Sequence, residues 1–265
     1  MALVNAHKLT ADAVATFHDR PIIIAHRGAS ARAPENTLAA FRKAIQIGAG
    51  VAELDVHLSA DGDVIVIHDE TLDRTTDGQG AVGELKTAAI QAVDAGRWKD
   101  VKYLGERVPT LTEVLEAVGQ ELVLCIELKG GEGLPEAVVN AVRDAAVERR
   151  VLFFSFYPDH VRALKALEPE IPVVWLVGRE SADTDGYAVS LPEQAVAMGA
   201  DVLGLSMRIV DAAIVIASHG AGLPVFAFTA NRPDHINALV AAGVDGVITD
   251  RPDFARDIVG QVEAD

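Results

Sequence analysis

The chain has 265 residues, a net charge of −16 and a half-hydrophobic composition, with a mean hydropathy of +0.23. That length supports a full core, and no apolar run approaches the ~18 residues of a membrane-spanning helix, so no stable membrane association is expected. The acidity repels a phosphate backbone at long range and argues against nucleic acid.

A lone cysteine, Cys125, rules out an internal disulfide. The N-terminus lacks a basic segment leading into an apolar one, so a cytoplasmic location is expected.

In chain order, the first β-rich run is 22–26, where Ile22-Ile23-Ile24-Ala25 ends on His26. Gly28 follows at once and predicts a sharp turn with backbone N–H groups left free for a phosphate. A helix is expected over 38–47, with Leu38, Phe41 and Ile45 on one face and Gly48 as its stop.

The run 51–58 carries Glu53 and Asp55 two residues apart, on one face of a strand. Asp61-Gly62 signals a two-residue hairpin, and the partner run 64–68 then sets His68 directly opposite Asp55. Residues 69–108 exceed an ordinary loop and predict a small subdomain after the second strand, held together by Val82, Leu85, Ile90, Val93 and Trp98.

Beyond it, Thr110-Leu111-Thr112-Glu113 has the capping-box spacing of a helix start. Further strands are predicted at 122–128, 151–156, 173–177, 202–205, 225–229 and 246–249. Helices are predicted at 135–149, 158–167, 191–198, 211–219 and 233–242. The hairpin partner is antiparallel and drops out of the count. Eight βα units remain, in a length close to the ~250 residues typical of a (β/α)8 TIM barrel, read as one domain over 1–265 with its insertion at about 69–108.

Catalytic groups in such barrels lie at the C-terminal ends of the strands. His26, Glu53, Asp55, Glu127, Lys129, Ser155, Trp175 and Thr229 all fall there, and His68 joins them through the hairpin. A lone histidine or a Glu-x-Asp pair is often structural, and Glu127 with Lys129 suits a simple ion pair. Yet both faces of a barrel strand are covered, so charged residues on it need partners. Glu53, Asp55 and Glu127 offer only oxygen, which suits Mg²⁺ or Ca²⁺ rather than Zn²⁺. Two histidines beside this group suit metal-assisted acid–base chemistry, while a Gly-x-Ser-x-Gly elbow, a P-loop and zinc-type spacings are absent. The chain reads as a hydrolase, and Cys125 as an inert core thiol.

The ordered set His26-Arg27-Gly28, Pro34-Glu35-Asn36-Thr37, Glu53-Leu54-Asp55, His68-Asp69, Glu127-Leu128-Lys129 and Thr249-Asp250-Arg251-Pro252 resembles the glycerophosphodiester phosphodiesterase family. The resemblance runs from residue 22 to 252. It implies a (β/α)8 barrel that cleaves small glycerophosphodiesters to glycerol 3-phosphate and an alcohol with a divalent cation. It also implies that His26 and His68 are the acid–base pair, that Glu53, Asp55 and Glu127 are the metal ligands, and that Arg27 and Lys129 stabilise the phosphoryl oxygens.

Phe228 stands where many members carry Trp, a departure that bears on contacts to the glycerol end or headgroup. The assignment of acid and base, Mg²⁺ against Ca²⁺, and direct water attack against a cyclic phosphate all stay open. A lysophospholipase D acting on lysolipids and a non-catalytic phosphodiester sensor are the alternative readings. The modest aromatic content favours a water-soluble substrate with a loosely read headgroup.

Overall fold

A computed structural model describes residues 10–178 and 187–261. Eight strands run parallel: β1 (Ile22–Ala25), β2 (Val51–Leu58), β4 (Val123–Leu128), β5 (Val151–Ser155), β6 (Val173–Val177), β7 (Val202–Ser206), β8 (Val225–Phe228) and β9 (Gly246–Thr249). They follow one another around the sheet, and pairing of β1 with both β2 and β9 closes the barrel. The (β/α)8 TIM barrel expected from the sequence is therefore the observed fold.

The pleat separates two cores. Ile24, Val51, Val123, Cys125, Phe154 and Phe226 belong to the cluster that fills the barrel. Their strand neighbours Ala25, Ala52, Leu124, Ile126, Phe153 and Ala227 pack on the helices outside. Because both faces are covered, the strands read as unbroken apolar runs. Burial drives the Cys125 thiol pKa well up, as an inert core thiol requires.

The outer layer begins with α2 (Leu38–Gln46), whose Thr37 cap accepts from the Ala40 amide. After α3 (Thr87–Ile90) of the insertion comes α4 (Leu111–Val118), where Thr110 and Glu113 form the expected capping box. There follow α5 (Leu134–Asp144), α6 (Pro158–Leu167), α7 (Tyr187–Met198), α8 (Ala212–Gly220), α9 (Pro233–Ala242) and α10 (Pro252–Gln261). The helix expected at 135–149 ends early: a separate 3-10 turn occupies Glu148–Arg150 after Ala146 turns to positive φ. The predicted elements include neither α10 nor α1 (Ala11–Val14). Ala11 and Val14 of α1 enter the barrel-filling cluster, and the His18 amide donates to Asp245 just before β9, so this segment closes the N-terminal end.

The hairpin departs from expectation by one residue. β3 (Val64–Val66) pairs antiparallel with the C-terminal end of β2, Val56 facing Val66. The Ser59 amide donates to the Asp63 carbonyl, leaving a loop of residues 60–62 with Gly62 at φ 88°. A three-residue loop with glycine in the left-handed position replaces the tight two-residue turn. Asp55 consequently faces Ile67, not His68, and the Ile67 amide donates to its carbonyl at 3.0 Å.

The insertion has its own small core of Ile65, Ile67, Leu72, Val82, Ile90, Ala95 and Val108, with Leu85 and Val93 packed on it. Trp98 is not part of it; its ring is 41% exposed. Among the described residues no helix is long and apolar enough to cross a membrane.

The turn after β1 is sterically tight. Arg27 and Gly28 both adopt positive φ, 56° and 76°. A Cβ on Gly28 would lie 2.7 Å from the Ala40 backbone carbonyl carbon. Gly28→Ala is therefore expected to cost about 2 kcal/mol or more, from backbone strain and a clash that α2 cannot relieve. Thermal unfolding should show this as a fall of roughly 4 °C or more; an unchanged melting temperature would refute the assignment.

Candidate active site

The C-terminal mouth of the barrel gathers the charged residues from strands otherwise apolar. Glu53 and Asp55 point inward from β2, on the same face as Val51, and Glu127 points inward from β4, in line with Cys125. Parallel pairing sets Asp55 beside Glu127. Glu53, Asp55 and Glu127 each place a carboxylate oxygen within 4.8 Å of the others. Glu53 and Asp55 are only 1% and 0% exposed, so neither is cheaply hydrated.

Two cations, Lys129 and Arg27, partly compensate this group. The Lys129 ammonium pairs with Glu127 and lies 2.7 Å from Asp55 Oδ1. Arg27 Nε is 3.3 Å from Asp55 Oδ2, and the Arg27 amide donates to Glu53 Oε2 at 2.8 Å. Asn36 donates to Asp55 Oδ2 at 2.7 Å. The simple Glu127–Lys129 ion pair is thus present, inside a larger network.

Burial decides what this network does to the carboxylates. It drives Glu53 well above the usual range, with Asp55 and Glu127 adding to the rise. Burial and Asp55 likewise push Glu127 up to about 7, against Lys129. At Asp55 burial acts in the same direction, but Lys129 and Arg27 outweigh it and hold the group below its ordinary value. Glu53 Oε1 is buried without a hydrogen-bond partner. An unpartnered carboxylate oxygen inside an all-oxygen triad fits a hard divalent cation.

The histidines flank the triad, and each is oriented by a carboxylate. His26 Nδ1 bonds Asp250 Oδ1 at 2.5 Å, and its Nε2 is 4.0 Å from Glu53. Asp250 is held in turn by Ser30 and Asn231. His68 Nδ1 bonds Asp69 Oδ1 at 2.6 Å. Asp69 accepts from Arg74, Arg74 reaches Glu35, and Glu35 closes the chain on Arg27. His57 donates to the His68 carbonyl at 3.0 Å, fixing the backbone there. Burial lowers the His68 pKa, with Lys129 and Arg27 helping, against Asp55 and Asp69. The register shift does not carry His68 away: it lies just beyond β3, close enough for Asp55 to act on its ring electrostatically.

Other expectations at the mouth fail. The Gly28 amide is not free for phosphate; it donates to the carbonyls of Ala25 and Glu53, and the Ala29 amide donates to Ala40. Trp175 lies mid-strand and packs with the helix-side cluster. Ser155 donates to the Leu128 carbonyl and sits near His160, away from the triad. Phe228 does reach the mouth, half-buried and edge-on to Phe156 at 5.7 Å, and Thr229 follows it.

The orienting residues were the ones missed. Asp69 adjoins His68 and was legible as a partner, whereas Asp250 is 224 residues from His26 and only the fold brings them together.

The chain as a whole is similar to known proteins. Residues 26–254 match the model of the glycerophosphoryl diester phosphodiesterase family. The chain belongs to this family. A glycerophosphodiester phosphodiesterase of Caldanaerobacter subterraneus is 34% identical over 245 residues, covering 91% of this chain and 98% of that one. Another, from Bacillus subtilis, is 33% identical and covers 89% and 85%. A phosphodiesterase of Oleispira antarctica, solved in complex with the product sn-glycerol-3-phosphate, has a TM-score of 0.82 and 35% identity, covering 91% of this chain and 97% of its own. The present glycerophosphodiester phosphodiesterase is accordingly a phosphoric diester hydrolase.

Proposed function

We propose that this phosphodiesterase hydrolyses water-soluble glycerophosphodiesters to sn-glycerol 3-phosphate and an alcohol, in a cation-dependent reaction with His26 and His68 as the acid–base pair. The observation that carries this is the buried triad with its unpartnered Glu53 oxygen, flanked by two histidines that each have an orienting carboxylate.

Glu53, Asp55 and Glu127 would hold the Mg²⁺ or Ca²⁺ ion, which when bound supplies positive charge against the non-bridging phosphoryl oxygens. Arg27 and Lys129, already at the triad, add fixed positive charge where the transition state gathers negative charge. One histidine takes a proton from the attacking oxygen while the other returns one to the departing alkoxide. Asp69 and Asp250 fix the rings, so little reorganisation accompanies the transfer. Phe228 and Phe156 pack edge-on at the mouth and would offer an apolar wall to the carbon face of the substrate.

Glycerophosphocholine supplied with Mg²⁺ or Ca²⁺ tests this directly, using a glycerol-3-phosphate dehydrogenase to detect product. Release of sn-glycerol 3-phosphate with choline is expected. Release of glycerol with phosphocholine, or no turnover, would reject the reading.

A further inference from the structure

We propose that the cleft beside His26 is the headgroup subsite, and that it favours glycerophosphodiesters whose alcohol carries an additional anionic group. This rests on the proposed function and names the substrate class that the same site prefers.

The cleft has a volume of about 320 Å³. One wall is the turn after β1, another the ends of β8 and β9, and the third the insertion, through Trp98 and Lys99. His26 and Arg27 line it, which joins the cleft to the proposed proton-transfer and phosphate-binding groups. That volume is at the small end for a ligand site and suits a polar headgroup, not an acyl chain.

Its charge is asymmetric. Three cations, Arg27, Lys99 and Arg251, face two carboxylates, Glu35 and Asp250. Both carboxylates are already engaged: Glu35 receives Arg27 and Arg74, and Asp250 receives His26, Ser30 and Asn231. Lys99 and Arg251 are not neutralised in this way. The Lys99 ammonium donates to the Ser30 backbone carbonyl at 2.7 Å and lies 5.7 Å from the centroid of the Trp98 ring. The Arg251 guanidinium lies over the Phe254 ring, 4.3 Å from its centroid. Among the described residues neither has a carboxylate within ion-pair distance.

In a chain of net charge −16, two uncompensated cations on one cleft form a local attractor for a second anion. They equally disfavour a trimethylammonium headgroup, which would meet like charge. Trp98 gives the pocket a flat face, because its indole N–H is tied to the Ala95 carbonyl at 2.9 Å. The ring is left partly exposed for the C–H face of a polyhydroxy headgroup.

Glycerophosphoinositol 4-phosphate and glycerophosphoinositol differ only in one phosphate and isolate the charge effect. Wild-type kcat/KM is expected to favour the phosphorylated diester by ~10-fold at low ionic strength, and by less at higher salt because both cations are solvent-accessible. Lys99→Gln with Arg251→Gln should reduce that ratio to within about twofold. Trp98→Ala should lower kcat/KM for both inositol diesters and leave their ratio unchanged.

Equal kcat/KM for the two diesters in the wild type, or an undiminished ratio in the double variant, would overturn the proposal. Release of sn-glycerol 3-phosphate from glycerophosphocholine by the same wild-type preparation keeps such a failure distinct from failure of the proposed function.

Discussion

Replacing either His26 or His68 by alanine should lower kcat on glycerophosphocholine by at least ~10²-fold, the usual worth of a positioned proton-transfer group. Each ring is half-buried and anchored at Nδ1, His26 to Asp250 and His68 to Asp69, which leaves one nitrogen apiece for chemistry. Neither ring belongs to the carboxylate triad. Calorimetric binding of Mg²⁺ or Ca²⁺ should therefore persist in both variants while turnover falls. Near-normal kcat in either variant would remove that residue from the mechanism. Asp69→Asn and Asp250→Asn should follow the same pattern more weakly, since each acts through the ring it orients.

Exhaustive chelation with EDTA should abolish activity, and added Mg²⁺ or Ca²⁺ should restore it. The triad has three carboxylates against Lys129 and Arg27, and Glu53 retains one buried oxygen without a partner. Burial already forces Glu53 and Glu127 toward protonation, so the free protein holds this group at a cost that a bound cation relieves. At a cation concentration of ~100 Kd, mass action stabilises the fold by about 2.7 kcal/mol. For a chain of this size that is a rise of roughly 5–10 °C in melting temperature. Full activity after chelation, or a melting temperature indifferent to both cations, would contradict the metal assignment.

The barrel was legible because its strands are unbroken apolar runs, and a residue such as Glu127 inside one stands out. The triad was legible for the same reason, since charge where both strand faces are covered demands a purpose, and His68 was legible through the hairpin that follows β2. The hairpin register was not, because Asp61-Gly62 signals a turn without stating how many residues join it, and residue 60 joined the loop. Trp98 was read as core because a large aromatic in a short insertion usually is, yet its indole N–H found a backbone carbonyl at the surface. The four residues of α1 are too few to show a period, and their burial depends on strands far along the chain. Asp250 could not be paired with His26 from spacing, since barrel closure alone brings β9 beside β1.

Substrate class is decided by comparing kcat/KM for the choline, ethanolamine and glycerol diesters of glycerol phosphate with that for a lysophosphatidylcholine, all in one assay. The cleft beside His26 is small and lined mainly by polar and charged residues, with Trp98 its one large apolar face, and Phe228 and Phe156 pack edge-on at the mouth. An acyl chain would leave most of its apolar surface in water there. All three deacylated diesters should be cleaved, each at least ~10-fold more efficiently than the lysolipid. A lysolipid favoured by tenfold or more would contradict this and make the chain a lysophospholipase D.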